Sequence, residues 1–168
     1  EGNKNKNLGT LSNNILRAQA EQEVEKKKVE LNLDKVQKVV FFPGNNGEDI
    51  LDLVRIQKML KDNPNLLIYA IPKSRQIGNN LSYEDVEAVL DYVSSSSPST
   101  SLGVNSIEKK FETLRNFRLQ GRFILVKNGP AMQGIDLRYI SEEAADALYG
   151  ADLIITRGKE NYESLKSS

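Results

Sequence analysis

Residues 39–53 read VVFFPGNNGEDILDL, and this stretch decides the fold class. Four consecutive apolar residues are typical of a strand that is buried on both faces. A turn rich in Gly and Asn follows, and apolar residues then recur at helical spacing. Gly44 and Gly47 permit backbone angles that other residues resist, while Asn45 and Asn46 tolerate left-handed conformations and can cap a helix. The stretch therefore predicts a strand, a turn and a helix. The turn is interpreted either as an anion site or as an ordinary connection.

The same order of strand, loop and helix recurs along the chain. Further apolar segments that predict strands lie at residues 66–71, 123–126 and 152–156. Helical patterns cover residues 48–62, 83–93, 107–117 and 142–148. Ser82 and Ser141 each stand directly before a helical pattern and are predicted to cap it. Alternating strands and helices predict an α/β, Rossmann-like three-layer sandwich with a mostly parallel sheet.

The first 34 residues differ in composition from the rest of the chain. Residues 1–12 are rich in Asn, Gly and Lys, and residues 13–33 show a thin apolar stripe on a charged helical background. We therefore predict a flexible arm and linker helix over residues 1–34 and an α/β domain over residues 35–168. The helix is interpreted as a solvated linker or, alternatively, as a surface for a protein partner.

Composition excludes several classes of function. The 168 residues carry 23 Lys and Arg and 23 Asp and Glu, so no basic field favours nucleic acid, and the basic helix at residues 107–117 is interpreted as a solvated face. No apolar run approaches the roughly 20 residues that cross a bilayer, so no membrane span is expected. His and Cys are both absent, which removes the usual general base and thiolate metal sites. A cytoplasmic location, or the matrix or stroma of an organelle, is expected, and no targeting segment is visible after Glu1.

The predicted parallel strands would bring four polar loops to one edge of the sheet. The loop residues of interest are Asn45, Asn46, Lys73, Asn80, Asn128, Asp136, Arg157, Lys159 and Asn161. Amides, cations and glycines at one edge suit an anionic small molecule, and a phosphate ester is the expected class.

Three of these loops resemble the metal-dependent damage-control phosphatases, a family also labelled protein-glutamate methyltransferase-like. The family pattern Asp-Asn-x-Gly-Glu, followed by Phe-Asp, matches residues 44–48 and 51–52, and the pattern Asn-Asp-Ala-Thr matches residues 79–82. A long third pattern, Ala-Asp-Leu followed by Lys-Gly-x-x-Asn-Tyr-Glu, matches residues 151–163. The resemblance covers roughly residues 36–165 and implies hydrolysis of sugar phosphates with a divalent metal.

The chain departs from the family at the implied metal ligands. The resemblance implies that an Asp-Asn pair and a second Asp hold Mn²⁺ or Mg²⁺. Here Gly44 replaces the first Asp and Asn80 replaces the second, so Asn45 and Asn80 remain as neutral candidate ligands. Neutral amides attract a hard cation far less than carboxylates do. We therefore expect that the protein has no metal cofactor. If the site is active, the expected cofactor is Mn²⁺ or Mg²⁺.

The resemblance also implies a substrate pocket. Its candidate residues are Arg157, which replaces the family's phosphate-binding Lys, together with Lys73, Asn161 and Gly129. Two functions remain open. One is a pseudoenzyme, a non-catalytic binding or scaffold domain or subunit. The alternative is an active metal-dependent phosphatase for small sugar phosphates, with Glu48, Asp49 or Asp52 shifted into the metal site.

Overall fold

A computed structural model describes residues 35–44, 49–77, 82–95 and 105–166. Its strands are β1 (Lys38–Phe42), β2 (Leu67–Ala70), β3 (Phe123–Leu125) and β4 (Leu153–Thr156). Its helices are α1 (Asp49–Asp62), α2 (Tyr83–Ser95), α3 (Asn105–Leu119), α4 (Glu142–Leu148) and α5 (Lys159–Lys166). All strand pairs are parallel in the order β3-β2-β1-β4, with helices on both sides. The predicted α/β fold class is confirmed.

The predicted arm at residues 1–34 lies outside the described residues. The chain divides into two compact units, Glu1–Lys35 and Val36–Ser168, and the description below concerns the second. The domain assignment and the partner surface on residues 13–33 stay predictions.

Strand β1 is one of the two inner strands of the sheet and pairs with β2 and β4. Its last four residues, 39–42, are buried, as the apolar run VVFF predicts. Val40 aligns with Tyr69 of β2 on one side and with Ile154 of β4 on the other. The sequence order β1, β2, β3 runs outward to one edge, and the chain then returns across the sheet to place β4 at the opposite edge.

The two layers of helices differ in size. Helices α1, α2 and α3 connect β1 to β2 and β2 to β3, and α3 contacts both α1 and α2. Leu53 and Ile56 of α1 and Leu114 of α3 are buried. The second layer includes the short helix α4, whose Ala144 and Ala147 pack with Val40 and Phe42 of β1. This short crossover helix leaves part of the sheet face beside it open.

Both predicted caps are present. The Ser82 N–H donates to the carboxylate of Asp85 at 2.8 Å, and the Asp85 N–H donates to the Ser82 hydroxyl at 3.2 Å, which is a capping box. Ser141 Oγ accepts a hydrogen bond from the Ala144 N–H at 3.0 Å. The helices and strands begin and end within one or two residues of the predicted positions, as is usual because the ends of such elements fray.

Helix α5 was not predicted. Its sequence KENYESLK has too few apolar residues to show helical periodicity, and the residue that it buries is Asn161. Within the part of the chain that is described, no helix is long and apolar enough to cross a membrane.

Candidate functional site

The four strands end at one edge of the sheet because they all run in the same direction. Pro43 and Gly44 follow β1, Lys73 follows β2, and Arg157 follows β4. The Arg157 N–H donates to the Phe42 carbonyl at 2.9 Å, which extends the β1–β4 pairing into the loops. The edge is therefore held together by the loops themselves.

Asp52 joins three segments of this edge. Its side chain is fully buried in α1. The Gly44 N–H donates to Oδ2 at 3.0 Å, while Arg55 and Arg157 donate to Oδ1 at 2.6 and 3.2 Å. A buried carboxylate requires such partners, because an unpaired buried charge is costly. Arg157, predicted to bind substrate, is thus also an internal partner of Asp52.

Lys73 and Asn161, both predicted to bind substrate, lie in contact with each other. The Lys73 ammonium is buried, donates to Asn161 Oδ1 at 3.3 Å and also donates to the Gly134 carbonyl. Burial lowers the pKa of Lys73 from its ordinary value, and the field of Glu160 opposes this shift. The hydrogen bonds of this buried cation go to neutral oxygens.

Asn161 extends the contact from Lys73 to two other loops. Its side-chain amide donates to the carbonyls of Pro43 and Arg157, both at 2.9 Å. Loops after β1, β2 and β4 are therefore linked through one buried amide. Three of the four predicted substrate-binding residues, Lys73, Arg157 and Asn161, are brought together in this way.

Gly129 lies in the loop after β3, where the chain turns sharply. Its φ is +110°, and a Cβ there would lie 2.6 Å from the Tyr139 carbonyl oxygen. The Ser74 hydroxyl donates to the Gly129 carbonyl and ties this loop to the one after β2. Gly129 therefore fits a backbone position that only glycine adopts without strain. Its contact with a substrate stays a prediction.

The predicted metal ligands Asn45 and Asn80 lie outside the described residues, as does Glu48. Gly44 is described, and a Cβ at this position would lie 3.0 Å from the Arg157 Cβ. Across the residues that the structure describes, no three acidic side chains are close enough to hold a metal ion. Asp52 is already committed to three hydrogen-bond donors. The implied metal site lies largely outside the described segments, so the expected loss of metal binding stays a prediction.

Two features of the site were missed by sequence reasoning. The first is the role of Asp52 as an internal partner; the signal for it was the Asp52–Arg55 spacing of three residues on a predicted helix. The second is the burial of Asn128, whose side-chain Oδ1 has no hydrogen-bond partner within the described segments. No pattern in the sequence distinguishes a buried loop amide from an exposed one.

Comparisons with known proteins agree on the family and the fold. Residues 3–168 match the family described as the damage-control phosphatase ARMT1-like domain. A search of curated proteins found no match. The fold is similar to the crystal structure of a DUF89 family protein from Pyrococcus horikoshii, with a TM-score of 0.59 and 21% sequence identity. That alignment covers 90% of this chain and 47% of the archaeal chain, so this chain spans about half of its structural relative.

Proposed function

Because the chain belongs to the damage-control phosphatase ARMT1-like domain family, we propose that it is a non-catalytic member that keeps the fold as a binding or scaffold domain. The observation that carries this proposal is the contact between Gly44 and Arg157. Gly44 stands where the family pattern has a carboxylate, and its backbone lies so close to Arg157 that a new Cβ would be 3.0 Å from the Arg157 Cβ. A side chain at position 44 would therefore require Arg157 to move by a few tenths of an ångström.

The charges around Asp52 support the same proposal. Asp52 satisfies the Gly44 N–H and two guanidinium groups, so its oxygens are used within the protein. A carboxylate with this many donors gains little from leaving them to bind a cation. The alternative in which Asp52 shifts into a metal site is thereby disfavoured.

The position of Lys73 supports the proposal that the domain still binds an anion. It is a buried cation whose hydrogen bonds go to the oxygens of Gly134 and Asn161. An oxyanion that approached this edge would gain the attraction of a charge in a low-dielectric setting. The proposed ligand class is a small phosphate ester such as a sugar phosphate, bound without turnover.

The experiment is a thermal-shift titration with Mn²⁺ of four proteins: the native chain, Gly44→Asp, Asn80→Asp and the double variant. A ligand that binds the folded state raises the melting temperature. We expect no response of the native protein and a rise for the double variant, with much smaller effects of the single changes because the ligands act as a unit. The Asn65→Asp variant adds a carboxylate on an exposed residue and controls for charge alone.

A phosphate-release assay with Mn²⁺, Mg²⁺ and Co²⁺ on small sugar phosphates tests the alternative phosphatase. Metal-dependent turnover by the native protein that is lost in Asn45→Ala would show that the domain is catalytic and that the interpretation of Gly44 is wrong. A strong Mn²⁺ response of the native protein would lead to the same conclusion. The expected cytoplasmic or organellar location stays a prediction.

A further inference from the structure

A cavity lies on the face of the sheet that the short helix α4 leaves open. Its volume is about 470 Å³, and we call it the tyrosine trough. Its lining includes Tyr69, Tyr83, Ile124, Glu143, Asp146 and Ala147. Tyr69 and Ile124 are aligned neighbours on β2 and β3, and both pack beside the core under α4. The trough shares no lining residue with the Asp52 or Lys73 clusters.

Lys127, which lines the trough, and Lys38, which lies beside Tyr69, are both already engaged. The Lys38 ammonium lies 5.0 Å from the centre of the Tyr69 ring and donates to the carbonyls of Tyr149 and Asp146 at 2.6 and 3.3 Å. The Lys127 ammonium lies 4.8 Å from the centre of the Tyr83 ring and 3.4 Å from the Glu84 carboxylate. Two tyrosine rings thus each attract a cation, as the negative face of an aromatic ring does.

The two acidic side chains of the trough, Glu143 and Asp146, differ from the lysines in their lack of partners within the described residues. Glu143 and Asp146 are three residues apart on α4 and therefore share one side of that helix. Within the described part of the chain, neither carboxylate takes part in an ion pair or a side-chain hydrogen bond. The trough thus combines an apolar floor, two rings and two unpaired negative charges, while its positive charges have partners.

We propose that the tyrosine trough binds an organic cation, namely a primary amine with an apolar or aromatic body. The body would lie on Tyr69, Ile124 and Ala147, where it removes apolar surface from water. The ammonium would lie between Glu143 and Asp146 and donate hydrogen bonds to their carboxylate oxygens. An anionic ligand is disfavoured because it would face these carboxylates and would have to displace Lys38 or Lys127 from existing partners.

The test uses three probes of similar shape that differ in charge: 2-phenylethylamine, 2-phenylethanol and 3-phenylpropionate. Each is titrated into the full chain while backbone amide signals of residues 143–147 are followed by NMR. We expect the amine to bind about fivefold more tightly than the alcohol, since two exposed charge pairs together contribute roughly this factor. We expect the carboxylate probe to bind more weakly than both.

The variant Glu143→Gln/Asp146→Asn should weaken amine binding by about fivefold or more and leave alcohol binding unchanged. Glu142→Gln is the matched control, since Glu142 is exposed on the same helix and does not line the trough. Equal affinity of amine and alcohol would overturn the proposal. So would tighter binding of the carboxylate probe, equal loss in the control, or the absence of binding by every probe at about 10 mM.

Discussion

The backbone N–H of Gly44 donates a hydrogen bond to the buried carboxylate of Asp52, with 3.0 Å between the nitrogen and Oδ2. The second oxygen of the same carboxylate accepts from Arg55 and Arg157. One side chain of α1 therefore fixes the end of β1 and the start of the loop after β4. Gly44 follows β1 at the position where the resemblance implies a metal ligand, and in this chain its backbone N–H contacts an internal ion cluster.

Replacing Asp52 with Ala should destabilise the fold. The Gly44 N–H would be left buried without an acceptor, which costs about 1–3 kcal/mol, and two partly exposed arginines would lose their shared partner. We expect the free energy of unfolding, measured by urea denaturation, to fall by roughly 2–4 kcal/mol. Asp62→Ala removes an exposed carboxylate paired with Lys58 and should cost less than about 1 kcal/mol. Equal losses in the two variants would mean that Asp52 has no special structural role.

The fold could be predicted because its signals are local. The apolar runs of β1 and β2 and the capping residues Ser82 and Ser141 each specify their own element, and alternation then favours a parallel sheet. The sequence does not show which residues of different loops make contact. The contacts of Lys73 with Asn161, and of Asp52 with Arg157, join positions 88 and 105 residues apart.

The site was predicted only in part for the same reason. Sequence patterns collected Lys73, Arg157 and Asn161 at one edge, and the structure brings them together. Their internal partners could not be predicted, since hydrogen bonding and burial depend on the packed loops rather than on residue type. A cation that looks available for a ligand in the sequence, such as Arg157, is paired with Asp52 in the fold.

Gly129 and Gly150 provide a matched test of steric crowding. Both have positive φ, +110° and +67°, so an alanine is strained at either position. A Cβ at Gly129 would lie 2.6 Å from the Tyr139 carbonyl oxygen, whereas a Cβ at Gly150 meets nothing within 4 Å. Gly150→Ala should cost about 1 kcal/mol of unfolding free energy, and Gly129→Ala roughly 3 kcal/mol or more. Similar losses on urea denaturation would show that the loop after β3 relaxes to admit a side chain.

Asp152 should make the stability depend on acid pH. One of its carboxylate oxygens accepts from the backbone N–H groups of Lys38 and Gln37 at 2.8 and 2.9 Å, and these bonds hold its pKa below the ordinary 3.8. Because the folded-state pKa is the lower one, the stabilisation is complete above about pH 4 and is lost as pH falls through the folded value. The unfolding free energy, measured from pH 5 to pH 2, should fall less steeply in Asp152→Asn than in the native protein. Parallel curves for the two proteins would contradict this account.

Lys73 should make the stability of the fold depend on alkaline pH. Burial lowers its pKa from 10.5, so the unfolded chain holds this proton more tightly than the folded chain does. Between the pKa of Lys73 in the folded state and 10.5, the native protein therefore gains stability as pH rises. The Lys73→Met variant does not, because it has no proton to lose at this position. The difference in unfolding free energy between the native protein and this variant should shift in favour of the native protein from pH 7 to pH 10.

The same variant separates the two roles of Lys73. If the ammonium binds anions, inorganic phosphate should raise the melting temperature of the native protein and leave Lys73→Met unchanged. Lys58→Met removes an exposed lysine on α1, paired with Asp62, and should keep the phosphate response. A pH effect without a phosphate response would make Lys73 a structural link to Gly134 and Asn161 alone, because the buried charge would then serve the loops and not a ligand. A phosphate response that survives in Lys73→Met would place the anion elsewhere on the protein.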